Sequence, residues 1–395
     1  MKNLFELTHK ETKHVIGIMS GTSLDGVDVA LIKIEGNSTF TKIDLIGYLE
    51  YPFPEGVKET LLKNSTKETS NVEDLSQMNF LIPNIYFEAI KSLCNDLNFS
   101  LENIDLIGSH GQTVHHLPNS TNYFGFNISS TLQIGDPAVL AKLSGITTVG
   151  DFRTGDIALG GEGAPLIPYF DYIFFHSHRK NRALLNIGGI SNFTILNKET
   201  GLQDVLAFDT GPGNMLIDAL TKKLFFKEFD KDGDLARAGN FNQELFNALK
   251  EKDNFIDRIP PKSTGREYYG EQFLDSLLKE FKNVPAKDWL NTVTKFTSYA
   301  VHRNYEKFVK DETKIDELII SGGGAKNKFL YECLSKEFGN SVELKVIDDI
   351  GVSSDAKEAI CFAVLANETI SGNPTNIPRT TGASRPTILG KICLP

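Results

Sequence analysis

The segment HVIGIMSGTSLDGVDVALIKI (residues 14–34) decides the fold. Its ends, VIGIM and VDVALIKI, have the composition of β-strands, and the SGTSLDG between them has the composition of a turn. The segment therefore predicts a hairpin with a glycine-containing tip. A similar unit, ALLNIGGISNFTIL (residues 183–196), predicts a second hairpin, and the two together indicate two related lobes.

Three further glycine-rich turns are predicted after short apolar strands, in IDLIGSHGQT (104–113), VLAFDTGPGN (205–214) and ELIISGGGAKN (317–327). The last two lead into the helical patterns MLIDALTKKLF and KFLYECLSKEF, as the connections of a parallel sheet require. This punctuation predicts an α/β fold with ligands at the carboxyl ends of strands. Charged stretches at 227–239 and 252–270 are predicted to be surface insertions in the second lobe.

Length and composition limit the classes of function. A chain of 395 residues exceeds the size at which one core stops growing, and its net charge of -10 provides no general attraction for nucleic acid or anionic membrane. The chain has four cysteines without the spacing of a zinc site, no signal-peptide pattern in its first 13 residues and no apolar run of about 18 residues. We therefore expect a cytoplasmic protein that neither spans a membrane nor binds nucleic acid.

The loop MSGTSLDG (residues 19–26) combines glycines, hydroxyl groups and the Asp25 carboxylate. Backbone N–H groups in such a turn can form a nest for an anion such as phosphate. A hairpin loop that uses glycine and aspartate only to turn is the alternative. The sequence contains neither a Walker A motif nor GxGxxG, so the P-loop and Rossmann interpretations lose their main support.

Asp209 in FDTGPGN is placed at the end of a predicted strand, just before a turn that opens a helix near Asn214. A helix N-terminus favours phosphate oxygens, and a carboxylate there can act as a general base or hold a metal. An Asx-turn aspartate is the structural alternative. In SGGGAKN, the glycines 322–324 suit close approach of a nucleotide or, alternatively, tight packing of strand against helix.

Taken in order, these loops resemble the sugar kinase, heat-shock ATPase and actin superfamily. Longer strings narrow the resemblance to the anhydro-N-acetylmuramic acid kinase family, over nearly the whole chain from Val15 to TGASRPTILG (381–390). The strings are GIMSGTSLDGVD (17–28), GSHGQTVHH (108–116), QIGDPAVLA (133–141), DFRTGDIALGGEGAPLIP (151–168), NIGGISN (186–192), FDTGPGN (208–214), PKSTGRE (261–267) and SGGGAKN (321–327).

The resemblance implies a two-lobed actin-like ATPase (ribonuclease H-like) α/β fold with an interdomain cleft. We expect residues 14–158 and 377–395 to form the N-terminal lobe and 159–376 the C-terminal lobe. The family phosphorylates 1,6-anhydro-N-acetylmuramic acid on O6 with ATP and Mg²⁺ and opens the anhydro ring with water, giving N-acetylmuramic acid 6-phosphate. This reaction serves peptidoglycan recycling, and a homodimer is one assembly that fits.

By resemblance, Asp209 is the catalytic base, which takes a proton from the attacking water. Asp25 is expected near the phosphates, where it positions magnesium directly or through water. The residues expected to bind the nucleotide are Ser20, Gly21, Thr22, Ser23, Leu24, Asp25, Gly26, Val27, Asp28, Gly188, Gly189, Gly211, Gly213, Asn214, Gly322, Gly323 and Gly324.

The residues expected to contact the sugar are His110, Gln112, Asp151, Arg153 and Glu358. The guanidinium fork of Arg153 matches the lactyl carboxylate, and a salt bridge to Asp151 or Asp156 is the competing explanation. Glu358 matches a family position near the sugar, but Asp355-x-x-Glu358 also fits a capping-box helix start.

Some features leave alternatives open. The chain has Glu162, Thr154 and Gly155 at positions where the family commonly has other residues. These differences concern the identity of the sugar more than kinase activity itself. The loop containing Lys262 and Arg266 either reaches the cleft or is a solvated turn. A kinase of another amino sugar or hexose, and an actin-like ATPase without sugar phosphotransfer, are the competing functions.

Overall fold

This computed structural model describes residues 4–21 and 24–395, which divide into two units. Unit 1 comprises the described residues up to Phe174 together with Asp355–Pro395, and unit 2 comprises Phe175–Ser354. The sequence assigned 159–174 and 355–376 to the second lobe, whereas they group with unit 1 here. The reason is that the helices of these segments, which include Lys357–Ser371, pack within unit 1.

Unit 1 contains a seven-stranded mixed sheet and eight helices among its described residues. Its strands are β1 (Thr12–Ser20), β2 (Gly26–Glu35), β3 (Lys42–Pro52), β4 (Leu106–Tyr123), β5 (Phe126–Ile134), β6 (Thr148–Gly150) and β12 (Lys391–Cys393). Its helices are α1 (Leu4–His9), α2 (Val57–Asn64), α3 (Val72–Asp96), α4 (Pro137–Ser144), α5 (Thr154–Ala158), α6 (Ile167–Phe175), α14 (Lys357–Ser371) and α15 (Pro378–Thr381).

Unit 2 contains a five-stranded mixed sheet and seven helices among its described residues. Its strands are β7 (Arg182–Ile187), β8 (Ile190–Leu196), β9 (Leu206–Pro212), β10 (Glu317–Ser321) and β11 (Glu343–Val346). Its helices are α7 (Met215–Phe225), α8 (Asp234–Arg237), α9 (Gln243–Lys252), α10 (Arg266–Tyr269), α11 (Glu271–Glu280), α12 (Ala286–Phe308) and α13 (Lys328–Phe338).

The two sheets share one strand order. In unit 1 the order is β3-β2-β1-β4-β6, extended by β12, and in unit 2 it is β9-β8-β7-β10-β11. In each, an antiparallel meander of three strands continues through its first strand into parallel neighbours. Both predicted hairpins are thus confirmed, and the repeated topology is the two-sheet α/β architecture expected of an actin-like ATPase.

Helix α14 packs directly on the unit 1 sheet because two strands carry glycine where it crosses. A Cβ at Gly17 of β1 would lie within 3.0 Å of the Ala359 carbonyl oxygen, and one at Gly108 of β4 would lie equally close to that of Phe362. Backbone atoms cannot move aside as side chains can, so a larger residue would push the helix away. This close packing fixes the N-terminal turn of α14, which carries Glu358.

Two predictions from sequence are corrected by the structure. The segment GSHGQT does not turn, because β4 continues through it to Tyr123 and Gly111 absorbs the local irregularity with a φ of 74°. The stretch 252–270 is no surface insertion, since Phe255 and Tyr269 are fully buried in the core of unit 2. Among residues 4–21 and 24–395, no helix has the length and apolar character needed to cross a membrane.

Candidate functional site

The glycine turns of unit 2 meet at one edge of its sheet. Strands β7 and β10 are parallel, with Asn186 opposite Ser321, so the turns that follow them are neighbours. Strand β9 ends at the same edge, where Pro212 pairs with Ile190. The structure therefore brings together the predicted nucleotide residues of unit 2, which are Gly188, Gly189, Gly211, Gly213, Asn214 and Gly322–Gly324.

Hydrogen bonds join two of these turns. The N–H groups of Gly213 and Asn214 donate to the carbonyls of Gly189 and Gly188, each at 2.8 Å, and Met215 N–H also donates to Gly189 at 3.1 Å. A Cβ at Gly213 would lie within 3.0 Å of the Gly188 carbonyl oxygen. These amides hold the turn against the hairpin, so the helix α7 start does not offer them to phosphate as the sequence had suggested.

Asp209 lies in β9, close to the carboxyl end of that strand. The backbone N–H of Thr264 donates to its Oδ2 at 2.8 Å, and its own N–H donates to the Lys262 carbonyl at 3.1 Å. The segment PKSTGRE thus runs beside β9, and its backbone amide at Thr264 orients the Asp209 carboxylate. A carboxylate oriented in this way at a sheet edge can accept a proton from a bound nucleophile.

Lys262 is directed into unit 2 and is not part of a solvated turn. Its Nζ donates to the carbonyls of Ile256 (2.6 Å) and Phe255 (3.3 Å) and lies 4.9 Å from the Phe308 ring centroid. Burial lowers the pKa of Lys262 to about 8, against the opposing effect of nearby carboxylates that include Asp209. Arg266, by contrast, is exposed at the start of α10.

In unit 1 the strongest pairing among the predicted sugar residues joins Arg153 to His110. Arg153 donates from Nε and Nη2 to Nε2 of His110, at 3.1 and 2.9 Å, and from Nη1 to the carbonyl of Gly163 at 2.7 Å. Because Nε2 accepts, the neutral ring of His110 carries its proton on Nδ1. The guanidinium keeps one N–H on Nη1 and one on Nη2 for a further acceptor.

His110 is buried and neutral. Burial and then the charge of Arg153 lower its pKa to about 3, and Nδ1 has no hydrogen-bond partner of acceptable geometry. Its ring packs 4.8 Å from that of Phe362 in α14. Burial also lowers the pKa of Arg153 to about 10, with Glu358 acting in the opposite direction. A buried donor in this position can be satisfied by a polar ligand.

Glu358 lies in the first turn of α14. Its side chain is exposed to solvent at one side, but the protein around it partly desolvates the carboxyl group. This desolvation raises the pKa of Glu358, and the positive charges of Lys357 and Arg153 oppose it. Helix α14 begins at Lys357, after Ala356 in the cap position without a side-chain cap. The capping-box interpretation of Asp355 and Glu358 is therefore wrong.

Neither aspartate proposed as the competing partner of Arg153 has that role. Asp151 forms an ion pair with Lys391 and accepts a hydrogen bond from Thr154. Asp156 is fully buried and accepts from Gly163 N–H (2.8 Å), Asn376 Nδ2 (2.8 Å) and Thr381 Oγ1 (2.7 Å). Asp151, predicted to contact the sugar, thus forms its ion pair with Lys391 of the C-terminal strand β12. Gly155 lies inside α5.

The described part of the MSGTSLDG loop is tied to β4. Ser20 is buried and donates to Oε1 of Gln112, and Nε2 of Gln112 donates to the carbonyls of Gly21 (3.3 Å) and Thr113 (3.2 Å). Gln112 therefore braces the loop with every polar group of its side chain. Thr22 and Ser23 lie outside the described residues.

The rest of the loop separates buried from exposed groups. Leu24, with φ of 58°, and Val27 are buried, and Gly26 pairs with Pro52 of β3. The carboxylate of Asp25 is 72% exposed and forms an ion pair with Lys58. Asp28 accepts a hydrogen bond from Tyr48 at 2.6 Å, and burial raises its pKa. Asp25 thus presents the accessible carboxylate of this loop.

Three positioning residues escape sequence reasoning. Thr264 orients Asp209 through a backbone amide, Asn186 lies against the third glycine turn through Ser321 Oγ (3.4 Å), and Lys58 pairs with Asp25. None has a chemical signature in the sequence. Each contact joins positions that are distant in the sequence: 55 residues for Thr264 and Asp209, 135 for Ser321 and Asn186, and 33 for Lys58 and Asp25.

Comparison with known proteins identifies the family. The sequence profile described as "Anhydro-N-acetylmuramic acid kinase" matches residues 13–395. The chain belongs to the anhydro-N-acetylmuramic acid kinase family. A relative from Caldanaerobacter subterraneus subsp. tengcongensis with this name is 45% identical over all of both chains. Another, from Bacillus cereus, is 44% identical over 97% of this chain and 99% of its own.

Membership of the family makes the chain an enzyme, a kinase with a sugar acceptor and ATP as donor. Neither competing function, a kinase of another amino sugar or hexose or an actin-like ATPase without sugar phosphotransfer, is favoured by these matches. Among solved structures, the (R)-2-hydroxyglutaryl-CoA dehydratase component A of Acidaminococcus fermentans has a TM-score of 0.45 at 11% identity, over 91% of this chain and 99% of that one.

Proposed function

We propose that this chain phosphorylates 1,6-anhydro-N-acetylmuramic acid on O6 and opens the anhydro ring with water, giving N-acetylmuramic acid 6-phosphate and ADP. The observation that carries the proposal is the Asp209 carboxylate, oriented by the Thr264 amide at 2.8 Å and located at the sheet edge where the glycine turns of unit 2 meet. One general base beside a nucleotide-binding edge is what this reaction requires.

In the proposed reaction, Asp209 takes a proton from water as the water oxygen bonds to the anomeric carbon. The bond between that carbon and O6 breaks, and O6 keeps its electron pair. O6 then bonds to the γ-phosphorus of ATP, and the bond from phosphorus to the β–γ bridging oxygen breaks to release ADP. Atoms and charge balance without any further reactant.

The sugar is proposed to bind to the unit 1 residues His110, Arg153 and Glu358. His110 supplies a buried Nδ1–H donor, and the two remaining N–H groups of Arg153 can donate to a carboxylate such as the lactyl group. Glu358 supplies an accessible acceptor for a hydroxyl group. Gln112 is proposed to position the loop at Ser20 and Gly21 rather than to contact the sugar. Asp151 is proposed to hold the C-terminal strand through its ion pair with Lys391.

Mg²⁺ is the proposed companion of ATP. In kinases it is commonly held by one or two carboxylates and the phosphates themselves, and it neutralises charge on the phosphates. The exposed carboxylate of Asp25 fits this donor chemistry, with Lys58 as its present counter-ion. Among the described residues, no group of three or more His, Cys, Asp and Glu side chains forms a metal site of protein ligands alone.

We place the enzyme in the cytoplasm, where ATP is available. The four cysteines are free thiols, and Cys94, Cys333 and Cys361 are buried. Unpaired cysteines suit a reducing compartment. This part of the proposal predicts that activity survives in a strongly reducing buffer.

The proposed reaction is tested by mass spectrometry of products formed from ATP, Mg²⁺ and the anhydro sugar in oxygen-18 water. We expect one heavy oxygen at the anomeric position of the product and none in its phosphate. Phosphorylation of glucose or N-acetylglucosamine but not of the anhydro sugar would refute the substrate, and heavy oxygen in the phosphate would refute the order of bonds.

A further inference from the structure

The segment TGASRPTILG (381–390) carries part of the family resemblance, but the reaction proposed above gives it no role. In the structure it lies against the loop that follows α5. Ser384 N–H donates to the carbonyl of Leu159 at 2.9 Å, and Glu162 N–H donates to that of Thr381 at 2.7 Å. The C-terminal segment therefore holds the loop at residues 159–163 through backbone hydrogen bonds at two places.

The same loop is folded around Asp156. The N–H groups of Leu159 and Gly161 donate to the backbone carbonyl of Asp156, both at 3.0 Å, and Gly163 N–H donates to its Oδ2 at 2.8 Å. A Cβ at Gly161 would lie within 3.0 Å of that same Oδ2, so glycine is what allows the loop to come this close to the carboxylate. The conformation of the loop thus depends on where the Asp156 carboxylate is held.

Side chains that follow α14 hold the other oxygen of this carboxylate. Asn376 Nδ2 donates to Oδ1 of Asp156 at 2.8 Å, and Thr381 Oγ1 donates to it at 2.7 Å. Asn376 is itself fixed, because Thr387 N–H donates to its Oδ1 at 2.6 Å. Asp156 is fully buried, and a buried carboxylate needs hydrogen bonds to replace those it makes with water. The carboxylate therefore connects the loop to the C-terminal segment.

The loop in turn fixes the direction of the Arg153 guanidinium. Its Nη1 donates to the Gly163 carbonyl at 2.7 Å, while Nε and Nη2 donate to Nε2 of His110. Bonds to one nitrogen of His110 alone would let the planar group rotate about that point, whereas a second fixed acceptor sets where its remaining N–H groups point. Gly163 donates to Asp156 and accepts from Arg153, so a displacement of Asp156 reaches Arg153 through a single residue.

We propose that Asp156 is a positioning residue for sugar binding. It holds Gly163, the Gly163 carbonyl directs Arg153 at the carboxylate of the sugar, and Thr381 supports Asp156 from the C-terminal segment. This inference rests on the proposed function, because it takes the lactyl carboxylate as the ligand of Arg153. A misdirected guanidinium loses the paired geometry of a bidentate contact with a carboxylate, so sugar binding should weaken. All these contacts lie within unit 1, whereas Asp209 belongs to unit 2.

Two adjacent threonines provide matched variants. Replacing Asp156 itself would disturb hydrogen bonds to three residues at once, so the test removes one of its supports instead. Thr380 and Thr381 are both buried, but Oγ1 of Thr380 donates to the nearby Ile377 carbonyl at 2.9 Å and not to Asp156. Valine keeps the shape of threonine and lacks the hydroxyl group. Thr381→Val is therefore the test variant, Thr380→Val is its control, and Thr381→Ser restores the hydroxyl.

Steady-state kinetics with ATP and the anhydro sugar measure the effect. We expect Thr381→Val to raise the KM for the sugar by about tenfold, because a hydrogen bond to a charged group is lost, and to leave kcat and the KM for ATP within about twofold. Thr381→Ser and Thr380→Val should behave like the natural chain. An unchanged sugar KM in Thr381→Val, an equal rise in Thr380→Val, or a matching rise in the KM for ATP would each overturn the proposal. Far-UV circular dichroism checks that every variant is folded.

Nitrogen-15 NMR of the His110 ring tests the same contacts without any substrate. Arg153 donates to Nε2 of this ring, so a redirected guanidinium changes the resonance of that nitrogen. We expect the Nε2 resonance to shift in Thr381→Val and to stay in place in Thr380→Val. An unmoved resonance in Thr381→Val would overturn the positioning role whatever the substrate is. A shifted resonance in a protein whose natural chain does not turn over the anhydro sugar would support the positioning of Arg153 and refute the proposed function instead.

Discussion

Arg153 donates two hydrogen bonds to one nitrogen of His110, from Nε at 3.1 Å and from Nη2 at 2.9 Å. The pair converts two residues that the sequence treated separately into one unit. Arg153 fixes the tautomer of the ring, and the ring occupies the edge of the guanidinium that would otherwise bind a carboxylate side-on. Recognition of a carboxylate is left to the Nη1 and Nη2 end.

The first prediction concerns the tautomer of His110. Nitrogen-15 NMR of the ring should show a neutral imidazole protonated on Nδ1 between pH 5 and pH 8, because burial and Arg153 lower its pKa to about 3. Arg153→Lys cannot donate to Nε2 and to the Gly163 carbonyl in the same geometry, and should raise the KM for the sugar by about tenfold. A ring that titrates near pH 6.5 would contradict the geometry.

The same pKa shift predicts how stability depends on pH. His110 takes up a proton less readily in the folded state than in the unfolded state, where its pKa is near 6.5. The contribution of neutral His110 to stability is therefore fully present above pH 6.5. As pH falls below 6.5, protonation of the unfolded chain lowers the free energy of unfolding, and this loss reaches about 4 kcal/mol near pH 3. Urea unfolding of the natural chain and of His110→Gln over this range measures it. Parallel pH profiles for the two proteins would argue against the shift.

Asp209→Asn should lower kcat by about a thousandfold or more while nucleotide binding persists. Asparagine keeps the shape of the side chain and an oxygen for the Thr264 amide, but it has no basicity. Single-turnover kinetics and calorimetric titration with ATP separate the two effects. Asp204→Asn, exposed and just before β9, is the control. Normal turnover in Asp209→Asn would remove this residue from the chemistry.

Two glycine substitutions distinguish packing from ligand approach. A Cβ at Gly213 would collide with the Gly188 carbonyl, so Gly213→Ala should destabilise unit 2 by about 2 kcal/mol. A Cβ at Gly188 meets no atom closer than 3.6 Å, so Gly188→Ala should fold normally but raise the KM for ATP. Urea unfolding and steady-state kinetics provide the measurements. An unchanged KM in Gly188→Ala would place the nucleotide elsewhere.

Lys262→Met should lower kcat by about tenfold without changing the KM for ATP. The substitution removes the Nζ donor from the Ile256 and Phe255 carbonyls, and so loosens the segment whose Thr264 amide orients Asp209. Arg266→Met, exposed on the same segment, is the matched control. Lys262→Arg should restore part of the rate. Equal effects of the Lys262 and Arg266 substitutions to Met would make the effect nonspecific.

The sequence predicted local structure well where the pattern is local. Alternating and β-branched residues around MSGTSLDG and GGISN specified both hairpins, and helical periodicity specified α7 and α13, because these features depend on neighbours in the chain. Patterns misled where a long-range partner decided the outcome. Strand β4 runs through GSHG because β1 and β6 pair with it there, and 252–270 is buried because unit 2 supplies a core around Phe255.

By itself the sequence determined the family, the α/β class and Asp209 as the candidate base, since these rest on residue types and spacings in MSGTSLDG, FDTGPGN and SGGGAKN. Only the tertiary structure decided how each group is used. It paired Arg153 with His110, gave Gln112 to the loop and paired Asp151 with Lys391. A side chain's partners depend on which distant segments the fold brings within hydrogen-bond distance, and no local pattern encodes that.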